Sequence, residues 1–215
     1  MKALFIALYC LAAAVNVVSC AAGRQTPRRV AKALLMPLLA GVYLLSVPVP
    51  EPWVLPALAF GWLGDLFLIR PGSELFRSLG IAAFLVGHAC YLVAMLRHFA
   101  IDPPLWACVA APLVFLAAAA VIYRKLYPII PANMKLTGGC YYLALAVMDT
   151  AAALVWASGC AGGGWMLAGE VLFLTSDTIL CRQFFTVGDP APKYDFAVML
   201  TYLLAQGCLI LGFCA

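Results

Sequence analysis

Six polar side chains stand inside long apolar runs of this chain: Asp65, His88, Asp149, Glu170, Asp177 and Gln206. An ionised group at the centre of a bilayer costs at least about 2.5–3.5 kcal/mol, so each needs a compensating role. Two carboxyls sharing a dry site can divide labour, one holding a proton while the other stays charged, which suits acid-catalysed hydrolysis or a proton relay. A buried carboxyl can also be a neutral, hydrogen-bonded packing element, a reading that fits Asp149 and Glu170 equally well. It fits Asp65 and Asp177 less well, because two carboxylates at matched depth on separate helices repeat the same cost.

Composition sets the elements that must carry them. Of 215 residues, 66% are apolar and 10% charged, against roughly a quarter charged in a soluble domain. The apolar runs are long and do not alternate, so lipid is the solvent and helices, not barrel strands, satisfy the backbone. Runs of membrane-spanning length predict a single domain over 1–215, an all-α polytopic membrane helix bundle of about eight transmembrane helices. Their expected ranges are 2–22, 30–47, 52–70, 77–97, 104–123, 138–158, 163–185 and 195–214. Span one could instead be a signal peptide, but its apolar core exceeds the usual roughly 7–15 residues.

The basic residues fall on one side. Arg24, Arg28, Arg29, Lys32, Arg70, Arg77, Arg124, Lys125, Lys135, Arg182 and Lys193 face Lys2 and Arg97 alone on the other. That asymmetry puts the basic ends in the cytoplasm and both termini outside. The net charge of +4 is therefore a topology signal, and no basic domain exists to hold nucleic acid. Nine cysteines lack C-x-x-C pairing or metal-ligand spacing and read as small packing residues, so no metal and no cofactor are expected.

Helix rise locates the polar groups in depth. From the cytoplasmic end, Asp65 lies about 8 Å in and Asp177 about 12 Å, while His88, Asp149 and Gln206 come near 16 Å and Glu170 near 22 Å. All but Glu170 are at depths that one cytoplasm-facing pocket can hold. Gly61, Gly64 and Gly87 allow close helix approach beside them, and Tyr91, Tyr202 and Ser176 add hydroxyls within a turn. Tyr141, near a helix end, suits an interfacial belt position.

Four segments, Gly61-Trp62-Leu63-Gly64-Asp65, Gly87-His88-Ala89-Cys90-Tyr91, Phe173-Leu174-Thr175-Ser176-Asp177 and Thr201-Tyr202-Leu203-Leu204-Ala205-Gln206, resemble in order the signatures of the YhhN-like lysoplasmalogenase family. The resemblance runs from Lys32 to Gln206. It implies a membrane hydrolase that cleaves the vinyl ether bond of a lysoplasmalogen, releasing a fatty aldehyde and glycerophospho-ethanolamine or -choline. Lys32, Asp65, His88, Tyr91, Tyr141, Ser176, Asp177, Tyr202 and Gln206 fall on the family pattern; Asp149 and Glu170 do not.

Asp65 and Asp177 are then the expected acid–base pair, in either order, with His88 tuning or relaying protons. Tyr91, Tyr141, Ser176, Tyr202 and Gln206 are expected at the substrate. Lys32 reads either as the phosphate contact or as a snorkelling topology residue. The partners expected are the lipid bilayer and a lysophospholipid, with a homodimer left open, and short loops point to a bacterial plasma (inner) membrane. The rival readings are a small proton-coupled transporter, against which the internal repeat is faint, and a subunit without chemistry. A serine or cysteine nucleophile lacks its motif.

Overall fold

The computed structural model describes residues 1–69, 73–98, 102–187 and 191–215. Among them are eight α-helices: α1 (Lys2–Ala21), α2 (Gln25–Leu44), α3 (Val54–Leu68), α4 (Glu74–Arg97), α5 (Leu105–Leu126), α6 (Lys135–Ala157), α7 (Gly163–Arg182) and α8 (Pro192–Phe213). A 3-10 turn (Ala132–Met134) precedes α6 and a π-turn (Gln183–Val187) follows α7. No strand occurs among the described residues, and the protein is a polytopic helical bundle. Arg70, counted above among the basic residues, lies outside the described residues.

Six helices, α1 and α4 to α8, are long and apolar enough to cross a membrane. The other two depart from expectation for identifiable reasons. Pro50 and Pro52 disfavour helix ahead of Val54, leaving α3 with 15 residues, a rise of about 22 Å against a hydrocarbon core of about 30 Å. α2 begins at Gln25, earlier than expected, because Pro27 is tolerated in a first helical turn. That extension brings Arg28, Arg29 and Lys32 into the helix, so α2 is only in part a lipid-facing element.

Packing orders the bundle. α1 lies on α2, α2 on α3, α3 on α4, α4 on α6, α6 on α7, α7 on α8, and α8 returns to α1. These helices close a ring, with α5 outside it against α6. Inside the ring sits the main core, with Leu35, Met36 and Tyr43 from α2, Tyr91 and Met95 from α4, Phe173 from α7 and Met199 from α8. A smaller core, including Ala119, Leu126, Tyr142 and Leu145, joins α5 to α6.

The helices of the α7–α8 seam approach closely. At Gly169 an added Cβ would lie 2.8 Å from Leu209 Cγ and 2.9 Å from the Ala205 carbonyl oxygen, so two backbones meet there with no space for a side chain. Without hydrophobic driving force between helices in lipid, such contact supplies the association energy. Gly169→Leu is expected to lower stability in detergent by about 1–3 kcal/mol. Gly207→Ala, where no atom lies within 4 Å, should leave the melting temperature unchanged or slightly raised; equal effects of the two would contradict the seam.

Candidate active site

The polar groups gather where α2, α3, α7 and α8 meet at the basic end of the ring. Lys32 Nζ lies 3.1 Å from Asp65 Oδ1, and the Tyr202 hydroxyl donates to Asp65 Oδ2 at 2.9 Å. Asp65 is 1% exposed, so both oxygens of this buried carboxyl are satisfied, one by a cation and one by a phenol. A Cβ at Gly61 would sit 3.6 Å from the Tyr202 hydroxyl, in ordinary van der Waals contact, so the Tyr202–Asp65 bond does not depend on a glycine there.

One turn before Lys32, Arg28 grips Asp195 through both guanidinium nitrogens at 2.9 Å. Gln183 Nε2 donates to the same carboxylate at 2.8 Å. The forked geometry is the strong, orientation-specific form of the arginine–carboxylate pair. It locks the start of α8 to α2 and to the π-turn.

Asp177 completes the cleft. It lines one cavity together with Lys32, Asp65, Arg28, Asp195 and Tyr202, as two carboxyls of matched depth can. Its company is different: the Tyr141 hydroxyl donates to its Oδ2 at 2.5 Å, and among the described residues no cation lies within ion-pair distance of it. At 9% exposed, it is also the more accessible of the pair. Asp177 further forms part of a second, apolar cavity bounded by Ile81, Ile130, Met134, Tyr141 and Phe185.

The remaining candidates divide. Ser176 lines the polar cavity but donates its hydroxyl to the Val198 carbonyl at 3.2 Å, stitching α7 to α8. The Tyr91 hydroxyl, expected with Gln206 at the substrate, donates to Gln206 Oε1 at 2.8 Å, and neither residue lines these two cavities. They tie α4 to α8 one turn beyond Tyr202. Tyr141, expected at the substrate or in an interfacial belt, donates to Asp177 and lines the apolar cavity.

His88 lies apart from the pair. Its ring packs edge-on to Phe173 at 4.4 Å between centroids and borders a separate apolar groove with Leu92, Cys140 and Met148. Neither ring nitrogen has a protein hydrogen-bond partner among the described residues, and the ring also lies edge-on to Tyr141, the phenol on Asp177, at 6.2 Å between centroids. Asp149 and Glu170 are 1% exposed and likewise lack partners among the described residues; depth alone does not bring them to the cleft.

Sequence reasoning missed Arg28, Asp195 and Gln183. Arg28 was counted with the topology charges, although its spacing of four from Lys32 puts both on one helical face. Asp195 in the first turn of an apolar helix was the matching signal.

The model of the YhhN family matches residues 27–213, and the chain belongs to that family. No curated protein and no solved structure gives a match.

The Lys32–Asp65 pair yields a direct test. Removing one partner of a buried pair strands the other charge, at about 3–5 kcal/mol. Lys32→Met should therefore destabilise the protein by about that amount, and Lys32→Met with Asp65→Leu should recover most of it, as read by thermal unfolding in a double-mutant cycle. Additive losses would show that the two side chains are not coupled.

Proposed function

We propose that this YhhN-family protein is a lysoplasmalogenase-like hydrolase that cleaves the vinyl ether bond of a lysoplasmalogen by acid–base catalysis. Its products are a fatty aldehyde and glycerophosphoethanolamine or glycerophosphocholine. The observation that carries the reading is the unequal company of two carboxyls facing one cleft: Asp65 is held by Lys32 and Tyr202, Asp177 by Tyr141 alone.

The chemistry needs one proton donor and one base. Asp177, with no cation within ion-pair distance among the described residues, takes the donor's role and gives its proton to the alkene carbon two bonds from the ether oxygen, leaving an oxocarbenium ion. Asp65, kept anionic by Lys32, faces that cation and accepts a proton from the water that attacks it. The hemiacetal then collapses: its hydroxyl proton returns to Asp177, Asp65 gives its proton to the departing glycerol oxygen, and both groups are restored. The division of roles parallels that of inverting glycosidases.

The other residues support this assignment. Tyr202 and Tyr141 aim the two carboxyls. Lys32 has three N–H donors and Asp65 occupies one, so it can also meet a phosphate beside Arg28. Tyr91 and Gln206 act at one remove, by setting α8 and hence Tyr202. The basic helix ends favour a cleft at the cytoplasmic face of a plasma membrane.

Protein purified in detergent should release aldehyde from a lysoplasmalogen, whereas a carrier would need a sealed membrane and release none. Asp65→Asn and Asp177→Asn should each lower turnover by at least about 100-fold. Near wild-type turnover in either variant removes that residue from the mechanism.

A further inference from the structure

The apolar cavity beside the cleft has no part in the proton transfers. We infer that it binds the hydrocarbon chain of the lipid, and that Phe184, held under Arg77, is the residue that selects among chains. The inference rests on the cleft being a lipid-hydrolase site and extends it to the part of the substrate that the two aspartates do not touch.

Two cavities share a wall. Leu68, Phe84, Asp177, Leu180 and Phe184 border both the polar cleft and the apolar cavity. Asp177 is the only polar group in that wall. A ligand filling both spaces must be charged at one end and apolar at the other, and the bond between its two parts must pass Asp177. A single unbranched chain joined through an ether oxygen to a phosphorylated glycerol has that form.

The two rings at this neck are held differently. Phe84 is wedged: a Cβ at Gly64 would fall 2.7 Å from its ring, and it packs edge-on to Phe173 and Tyr202 at 6.3 and 6.0 Å. Phe184 sits in the π-turn Gln183–Val187, a widened turn of a kind that recurs at functional sites. Its ring is covered by the Arg77 guanidinium of α4 at 5.2 Å, which also reaches Phe185 at 5.9 Å. Phe184 is thus a wall residue of both cavities that carries a cation–π contact from α4. A chain lying in the neck exchanges solvent for the face of Phe184, so chain affinity follows the presence and placement of that ring.

Kinetics with two vinyl ether lysolipids of one headgroup, a hexadecenyl and a butenyl, test this. The preference for the long chain, read as the ratio of KM values, should fall about tenfold in Phe184→Ala and about threefold in Arg77→Gln. Phe184→Leu should keep most of the preference. Ile81→Trp, which fills the apolar cavity from α4, should abolish it. Unchanged ratios in Phe184→Ala and Ile81→Trp, with wild-type melting temperatures, would overturn the inference. Thermal stabilisation by a saturated hexadecyl ether analogue, which has no bond to cleave, reads the same site without turnover. Stabilisation of wild type but not of Ile81→Trp would support the chain site even if no aldehyde were released, and absence of stabilisation in wild type would overturn it even if aldehyde were released.

Discussion

A lysine and an aspartate, both nearly excluded from solvent, face each other at 3.1 Å near one end of a lipid-embedded ring, and much of the site follows from their need for each other. In a medium of low dielectric neither charge is tolerable alone. Lys32 must come from α2 and Asp65 from α3, so those two helices cannot slide or rotate independently. Tyr202 then brings α8 to the same carboxylate, and Arg28 with Asp195 repeats the constraint one turn nearer the helix ends. Charges that would oppose membrane insertion singly become the fasteners between elements.

The ring gives these fasteners a cavity to surround. Seams of small residues, such as that at Gly169 between α7 and α8, bring helices into backbone contact, while ion pairs and hydrogen bonds join them around the cleft at the basic end. The cleft leaves Asp177 with a phenol but no cation within ion-pair distance among the described residues, in reach of the same space as a carboxylate that has one. That inequality is what acid–base chemistry requires of two otherwise identical groups.

Much of this was legible in the sequence, and the failures share a cause. Long unalternating apolar runs disclosed the helical membrane class, and helix rise alone put Asp65 and Asp177 at similar depth. Depth is a one-dimensional quantity, however, and azimuth around each helix depends on which neighbours it packs against. His88 and Gln206 matched in depth yet face elsewhere: His88 packs against Phe173 and Gln206 binds Tyr91. The pairing of Lys32 with Asp65 was not legible because the countercharge lies on another helix. Arg28 was absorbed into the topology count for the same reason, since a charge near a helix end looks alike whether it faces water or Asp195. The shortness of α3 was foreshadowed by Pro50 and Pro52, but apolar composition began the expected span at Pro52.

The central claim, that Asp177 carries the proton and Asp65 the charge, is most directly tested by infrared spectroscopy of the resting protein at neutral pH. A component of the protonated-carboxyl C=O band should vanish in Asp177→Asn and persist in Asp65→Asn. A component that vanishes in Asp65→Asn and persists in Asp177→Asn would contradict it.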